Sequence, residues 1–172
     1  MRSLLNTLLG WLGGAPPRLR CRRQVWEAGV TELARRTLGG RRESGAYLLG
    51  RPRRDGGKDI LEFIFYDDVD PSALATGIVT IRQTALPRVW EICRARGCGV
   101  VADVHVHPRG YAQSESDQAN PVMPRAGHIA LILPNFARHS PKPGSIGIFE
   151  FLGNGLWANH SARGNRFFRL EV

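Results

Sequence analysis

His105 and His107 stand two residues apart at the end of an apolar run from Cys98 to Val106. The run reads as a buried strand. Side chains alternate faces along a strand, so both imidazoles point the same way. Two imidazoles on one face at a strand end are half of a metal site. The next carboxylate with a good approach is Asp117, ten residues beyond His107. A loop over 109–113 leaves the strand end, and Ser114-Glu115-Ser116-Asp117 opens a short helical turn that brings an acid back toward the histidines. Two histidines and an aspartate, with a water in fourth place, make an open tetrahedral site of the catalytic kind. Zinc suits that ligand mix, and other divalent ions fit it too. Such a site needs a carboxylate that takes the water's proton without binding the metal. Glu43 is the candidate, at the start of a strand ending in Leu49-Gly50.

Each residue has a plainer reading beside this one. Ser114 and Asp117 fit a helix N-cap with an acid in the first turn. Glu43 follows Arg41 and Arg42 and could form a surface ion pair of small worth. His128, His139 and His160 have no partners in spacing and read as structural or exposed.

The elements that must position these residues follow from periodicity and breakers. Residues 18–23 read as an edge strand. A helix spans 24–37, with Val25, Trp26, Val30, Leu33 and Ala34 in one stripe and Gly39-Gly40 ending it. Strands over 43–50 and 60–66 flank a polar turn and make a hairpin. The stretch 67–75 reads as an irregular loop, 78–81 as a short strand, and 82–96 as a second helix with Pro87 in its first turns, where a missing N–H is tolerated. Strands follow over 98–107, 128–133, 145–151 and 167–172, and Asn154-Gly155 marks a tight turn. The chain is therefore expected to form a single α/β (α+β) domain over 18–172, a curved mixed sheet flanked by two main helices. Residues 1–17 stand apart as a short amphipathic extension, with Leu4, Leu5, Leu8 and Trp11 at helical spacing.

Composition limits the function classes. At 172 residues and 42% hydrophobic content the chain can bury a proper core, and no apolar run is long enough to span a bilayer. The net charge of +9 comes almost wholly from arginine, with Lys58 and Lys142 the only lysines. These arginines fall in short scattered clusters without interleaved aromatics, which argues against a nucleic-acid interface and for a solvated surface. Three cysteines without paired spacing argue against a disulfide framework and for a reducing, cytoplasmic location.

The motifs in order resemble the JAMM (MPN-plus) metalloprotease family, whose signature is a strand glutamate, then H-x-H-P, then S-x-x-D. Here these are Glu43-Ser44-Gly45-Ala46-Tyr47-Leu48-Leu49-Gly50, His105-Val106-His107-Pro108 and Ser114-Glu115-Ser116-Asp117. The chain departs from the family's usual form at Val106, where Ser or Thr is common, in a loop before Ser114 one residue shorter, and in the order of Gly45 and Ala46. None of these removes a ligand. The resemblance covers residues 18–172 and implies a JAMM/MPN, cytidine-deaminase-like architecture. It also implies one catalytic Zn2+ held by His105, His107 and Asp117, with Glu43 as general base and Ser114 as oxyanion donor.

The resemblance further implies an isopeptidase or peptidase that cleaves after the C-terminal glycine of a ubiquitin-like protein, freeing it from conjugates or maturing its precursor. A Gly-Gly tail suits a groove too narrow for a Cβ. The compact form is similar to the prokaryotic branch. That branch implies activating and conjugating enzymes of the same operon as further partners, and a setting in anti-phage defence. Two alternatives stay open on the sequence. One keeps the chemistry and processes the C-terminus of a sulfur-carrier protein. The other is a non-catalytic scaffold or nucleic-acid module that uses the positive charge.

Overall fold

The run that carries the two histidines becomes β4 (Gly99–Val106), a strand with sheet neighbours on both sides. The computed structural model describes residues 15–172, so the expected amphipathic segment over 1–17 lies almost wholly outside the described residues. Eight strands form one mixed sheet in the order β7-β6-β5-β4-β2-β3-β1-β8. They are β1 (Leu19–Arg22), β2 (Gly45–Pro52), β3 (Lys58–Phe65), β4, β5 (Ile129–Leu133), β6 (Gly147–Gly153), β7 (Leu156–Asn159) and β8 (Phe168–Glu171). The pairs β1–β3, β1–β8 and β4–β5 are parallel and the rest antiparallel. Bulges between Leu48 and Gly50 shift the register of β2 against both neighbours and bend the sheet.

Alternation along β4 and β2 sorts the core into two layers. Ala46, Leu48, Val104 and Val106 point to one face, where α1 (Arg23–Arg36) lays Trp26, Val30 and Leu33 over them. Trp26 Nε1 donates to the Pro141 carbonyl at 3.0 Å, satisfying its buried N–H. Tyr47 and Leu49 point to the other face, with Val89 and Cys93 of α3 (Leu86–Arg96) and Tyr66 and Val69 of α2 (Tyr66–Val69). A strand covered on both faces explains the nearly unbroken apolar run before His105. Asp103, His105 and His107 fall on this second face by the same period of two.

Both expected main helices form. The second begins at Leu86, after a single 3-10 turn, with Pro87 in its first turn. It stops at Gly97, whose φ of 58° is the left-handed conformation that glycine adopts without a Cβ penalty. Cys21, Cys93 and Cys98 are free thiols, and burial pushes that of Cys21 up to about 12.

Several elements differ from the sequence reading. The β-branched stretch Ile78–Ile81 is not a strand. Both edges of β2 are already taken by β3 and β4, so the stretch has no ladder to join there. It runs as irregular chain instead, tied by Thr80 N–H to the Ala73 carbonyl (2.8 Å). Glu43 lies before β2, which starts at Gly45, and His128 lies just before β5. The stretch after β3 holds the short helix α2 where a loop is expected. The Asn154-Gly155 turn does close a hairpin, between β6 and β7.

Gly45 is a tight point near the site. A methyl there would run into the Tyr66 ring and stand 2.8 Å from the Val104 carbonyl oxygen. Gly45→Ala should therefore cost about 1–3 kcal/mol of stability by overpacking, read as a lowered denaturant midpoint at unchanged slope.

Candidate metal centre

Backbone pairing fixes both histidines. His105 sits opposite Gly45 in β2 and Ile132 in β5. His107 is one step past the strand, yet its N–H donates to Leu133 O and its carbonyl accepts from Phe136 N, each at 2.8 Å. The third group arrives on α4 (Glu115–Ala119). Ser114 is its N-cap. The Ser114 Oγ accepts from Asp117 N–H at 3.1 Å, and Asp117 Oδ2 accepts from Ser114 N–H at 2.7 Å. This capping box fixes the start of the helix and the direction of the Asp117 carboxylate together.

The three side chains converge. His105 Nε2 and His107 Nε2 are 3.0 Å apart, Asp117 Oδ1 is 3.3 Å from His105 Nε2, and Asp117 Oδ2 is 3.2 Å from His107 Nε2. One donor atom from each lies within 4.8 Å of the others. A tetrahedral zinc ion with bonds of about 2.0–2.1 Å keeps its ligands roughly 3.3 Å apart. The donor set and its spacing therefore fit a small divalent cation: His105, His107 and Asp117 form a group that could hold one. The one-residue-shorter loop before Ser114 still brings Asp117 to both imidazoles.

Electrostatics tie the trio together. Burial disfavours the charged imidazole of His105, but the Asp117 carboxylate outweighs it, with smaller pulls from Asp103 and Glu43, and the net shift is upward. Burial raises the Asp117 carboxyl, but hydrogen bonds from His105 and His107 win and hold it well below the usual carboxylate range.

The structure places the other two site candidates nearby. Glu43 is half-buried just before β2. Its N–H donates to Gly77 O (2.8 Å), and its Oε2 lies 3.5 Å from Val79 N–H, so the irregular 77–79 stretch braces it. No ion pair of Glu43 with Arg41 or Arg42 forms among the described residues, so the surface-pair reading fails. Ser114 Oγ spends a lone pair on the cap and keeps its O–H to donate. Beside the trio, His107, Pro108, Arg109, Gly110 and Ala112 line an open cleft of about 530 Å³.

Sequence reading missed Asp103 and Tyr66 beside the cluster and gave His128, which it read as structural or exposed, no partner. Asp103, 1% exposed, places Oδ1 2.6 Å from His128 Nε2 and accepts from the Tyr66 hydroxyl at Oδ2 (3.0 Å). Burial, then the Asp103 charge, push the Tyr66 phenol well above its usual range, so it remains a donor. The signal for Asp103 was present: it is the one acid inside an apolar strand, two residues before His105. His128 is thus structural and buried, and His160 pairs with Glu150 at 3.0 Å.

No protein-family model matches the chain. Among solved structures it is similar to the solution structure of protein DSY2949 from Desulfitobacterium hafniense, with a TM-score of 0.61 at 15% identity, covering 89% of this chain and 92% of that one. It is also similar to a protein from Salinibacter ruber, with a TM-score of 0.49 at 12% identity, covering 82% and 88%. The first likeness supports the mixed α+β architecture. At that identity it speaks of fold alone. Among the described residues no helix is long and apolar enough to cross a membrane.

Proposed function

We propose that the chain is a zinc-dependent isopeptidase of the JAMM kind, acting on the C-terminal glycine of a ubiquitin-like protein. The observation that carries the reading is the convergence of His105, His107 and Asp117 at 3.0–3.3 Å. The motif order in which Glu43 and Ser114 flank them supports it. In this reading the two imidazoles and the carboxylate hold the ion. When bound, the ion supplies Lewis acidity to the scissile carbonyl and to the attacking water. Glu43 takes a proton from that water and delivers it to the leaving amine. Ser114 donates its O–H to the oxygen that gains charge as the carbonyl becomes tetrahedral. The open cleft lined by His107, Pro108 and Gly110 gives an extended Gly-Gly tail a route to the ligands. Conjugates of the modifier, and the activating and conjugating enzymes that make them, are the partners this reading proposes, in a cytoplasmic, anti-phage setting.

The test is cleavage of a ubiquitin-like domain joined through its Gly-Gly end to a target lysine. Wild-type protein loaded with zinc should release the modifier, and His105→Ala protein should not. Equal cleavage by both would refute the proposal.

A further inference from the structure

Asp103, Tyr66 and His128 form a buried polar floor beneath the metal cluster, and no step of the proposed reaction uses them. They come from three elements: Asp103 from β4, Tyr66 from the first turn of α2, and His128 from the residue before β5. All three are nearly inaccessible to solvent. The buried side chains packed around the three are mostly apolar or aromatic, among them Tyr47, Leu49 and Val89. A buried carboxylate, imidazole and phenol cost desolvation that apolar residues of the same size avoid. Their hydrogen bonds offset that cost only in one arrangement, so the trio selects geometry more than it adds stability.

That arrangement bears on the site directly. The β4–β5 ladder is parallel, so no hairpin sets its register. The 2.6 Å contact between Asp103 and His128 clamps the ladder at its first pair, Asp103 with Ala130. Two residues along the same ladder sits His105, and just past its end sits His107. Tyr66 works on the other side. Its ring packs on Gly45, the residue of β2 opposite His105 and two residues from Glu43, while its hydroxyl bonds Asp103. One side chain thus touches both the strand that carries the ligands and the strand that follows the base. The Asp103 carboxylate also lies on the same face as the two imidazoles, where negative charge favours a divalent cation.

We propose that Asp103, clasped between His128 and Tyr66, is a positioning residue of the metal centre, holding the adjoining ends of β2, β4 and β5 in the arrangement in which His105, His107 and Asp117 converge. The inference rests on the metal-centre reading given above. Asp103→Asn keeps the shape and one acceptor, and Tyr66→Phe keeps the ring on Gly45 and removes only the hydroxyl.

The experiment titrates metal-free wild-type and variant proteins with Co2+, reading its visible absorption and competing it with a chelator. The thermal unfolding of each metal-free protein is recorded alongside. Asp103→Asn should bind Co2+ about 10–100-fold more weakly with an altered absorption band, and Tyr66→Phe several-fold more weakly. Both should unfold close to the wild-type temperature. Variants that unfold early yet bind Co2+ like wild type while folded would show a merely structural role and overturn the proposal. So would variants that match wild type in both measurements. Wild-type protein that binds no Co2+ would overturn the metal-centre reading itself, and this inference with it.

Discussion

Glu43→Gln protein is expected to keep its zinc and lose about 10²–10⁴ in kcat for release of a Gly-Gly-linked modifier, the usual worth of a positioned general base. Glutamine has nearly the same shape, so the brace from the Gly77 carbonyl survives, because it uses the Glu43 backbone N–H. The side-chain amide can still accept from Val79 N–H, but it cannot take a proton from water. His105, His107 and Asp117 do not depend on Glu43 for a hydrogen bond. The base and the ligands are therefore separable by experiment. Single-turnover cleavage together with metal content reads both. A variant with full activity would remove Glu43 from the mechanism. A variant that also loses metal would make Glu43 a ligand or a fold determinant instead.

Added zinc should reverse how stability depends on pH. In the metal-free protein the His105 pKa is raised, chiefly by Asp117 against the effect of burial, with Asp103 and Glu43 as the other charges facing the ring. A raised histidine contributes stability that is full below its unfolded value, about 6.5, and is lost as pH rises through the folded value. Asp117 is shifted the opposite way, below its unfolded value of about 3.9. Its contribution is present above that value and fades as pH falls toward the folded one. Together they make the metal-free protein's site most stabilising between roughly pH 4 and pH 6.5, with a decline above. Zinc needs neutral imidazoles and an ionised carboxylate, so protons compete with it. Zinc at a thousand times its dissociation constant adds about 4 kcal/mol, and at a fixed zinc concentration the gain grows as pH rises through the raised His105 value, because the dissociation constant falls. Urea unfolding at several pH values, with and without zinc, checks both signs. Parallel pH profiles would mean that the ion does not bind at these residues.

The site was legible in the sequence because local rules build most of it. A period of two puts His105 and His107 on one face whatever the rest of the sheet does. Ser114-x-x-Asp117 is a capping signature, and the same hydrogen bonds that start α4 aim the carboxylate. The buried floor obeys no local rule. Tyr66 is 37 residues and His128 is 25 residues from Asp103 in the chain, and only the sheet order brings them together. The irregular run of Ile78–Ile81 shows the same limit from the other side. Its residue types favour a strand, but strands need a free edge, and β3 and β4 occupy both edges of β2. The parallel pairing of β1 with β3 and β8 was equally hidden, since parallel partners are distant in sequence and carry no turn signal.

The most direct test is the zinc content of purified protein after reconstitution and removal of loose ion at neutral pH. Wild type and Glu43→Gln should each retain one zinc per chain, and Asp117→Ala, which loses the carboxylate within 3.3 Å of both imidazoles, should retain none. Folded wild-type protein that holds no zinc, or Asp117→Ala protein that holds as much as wild type, would contradict the account.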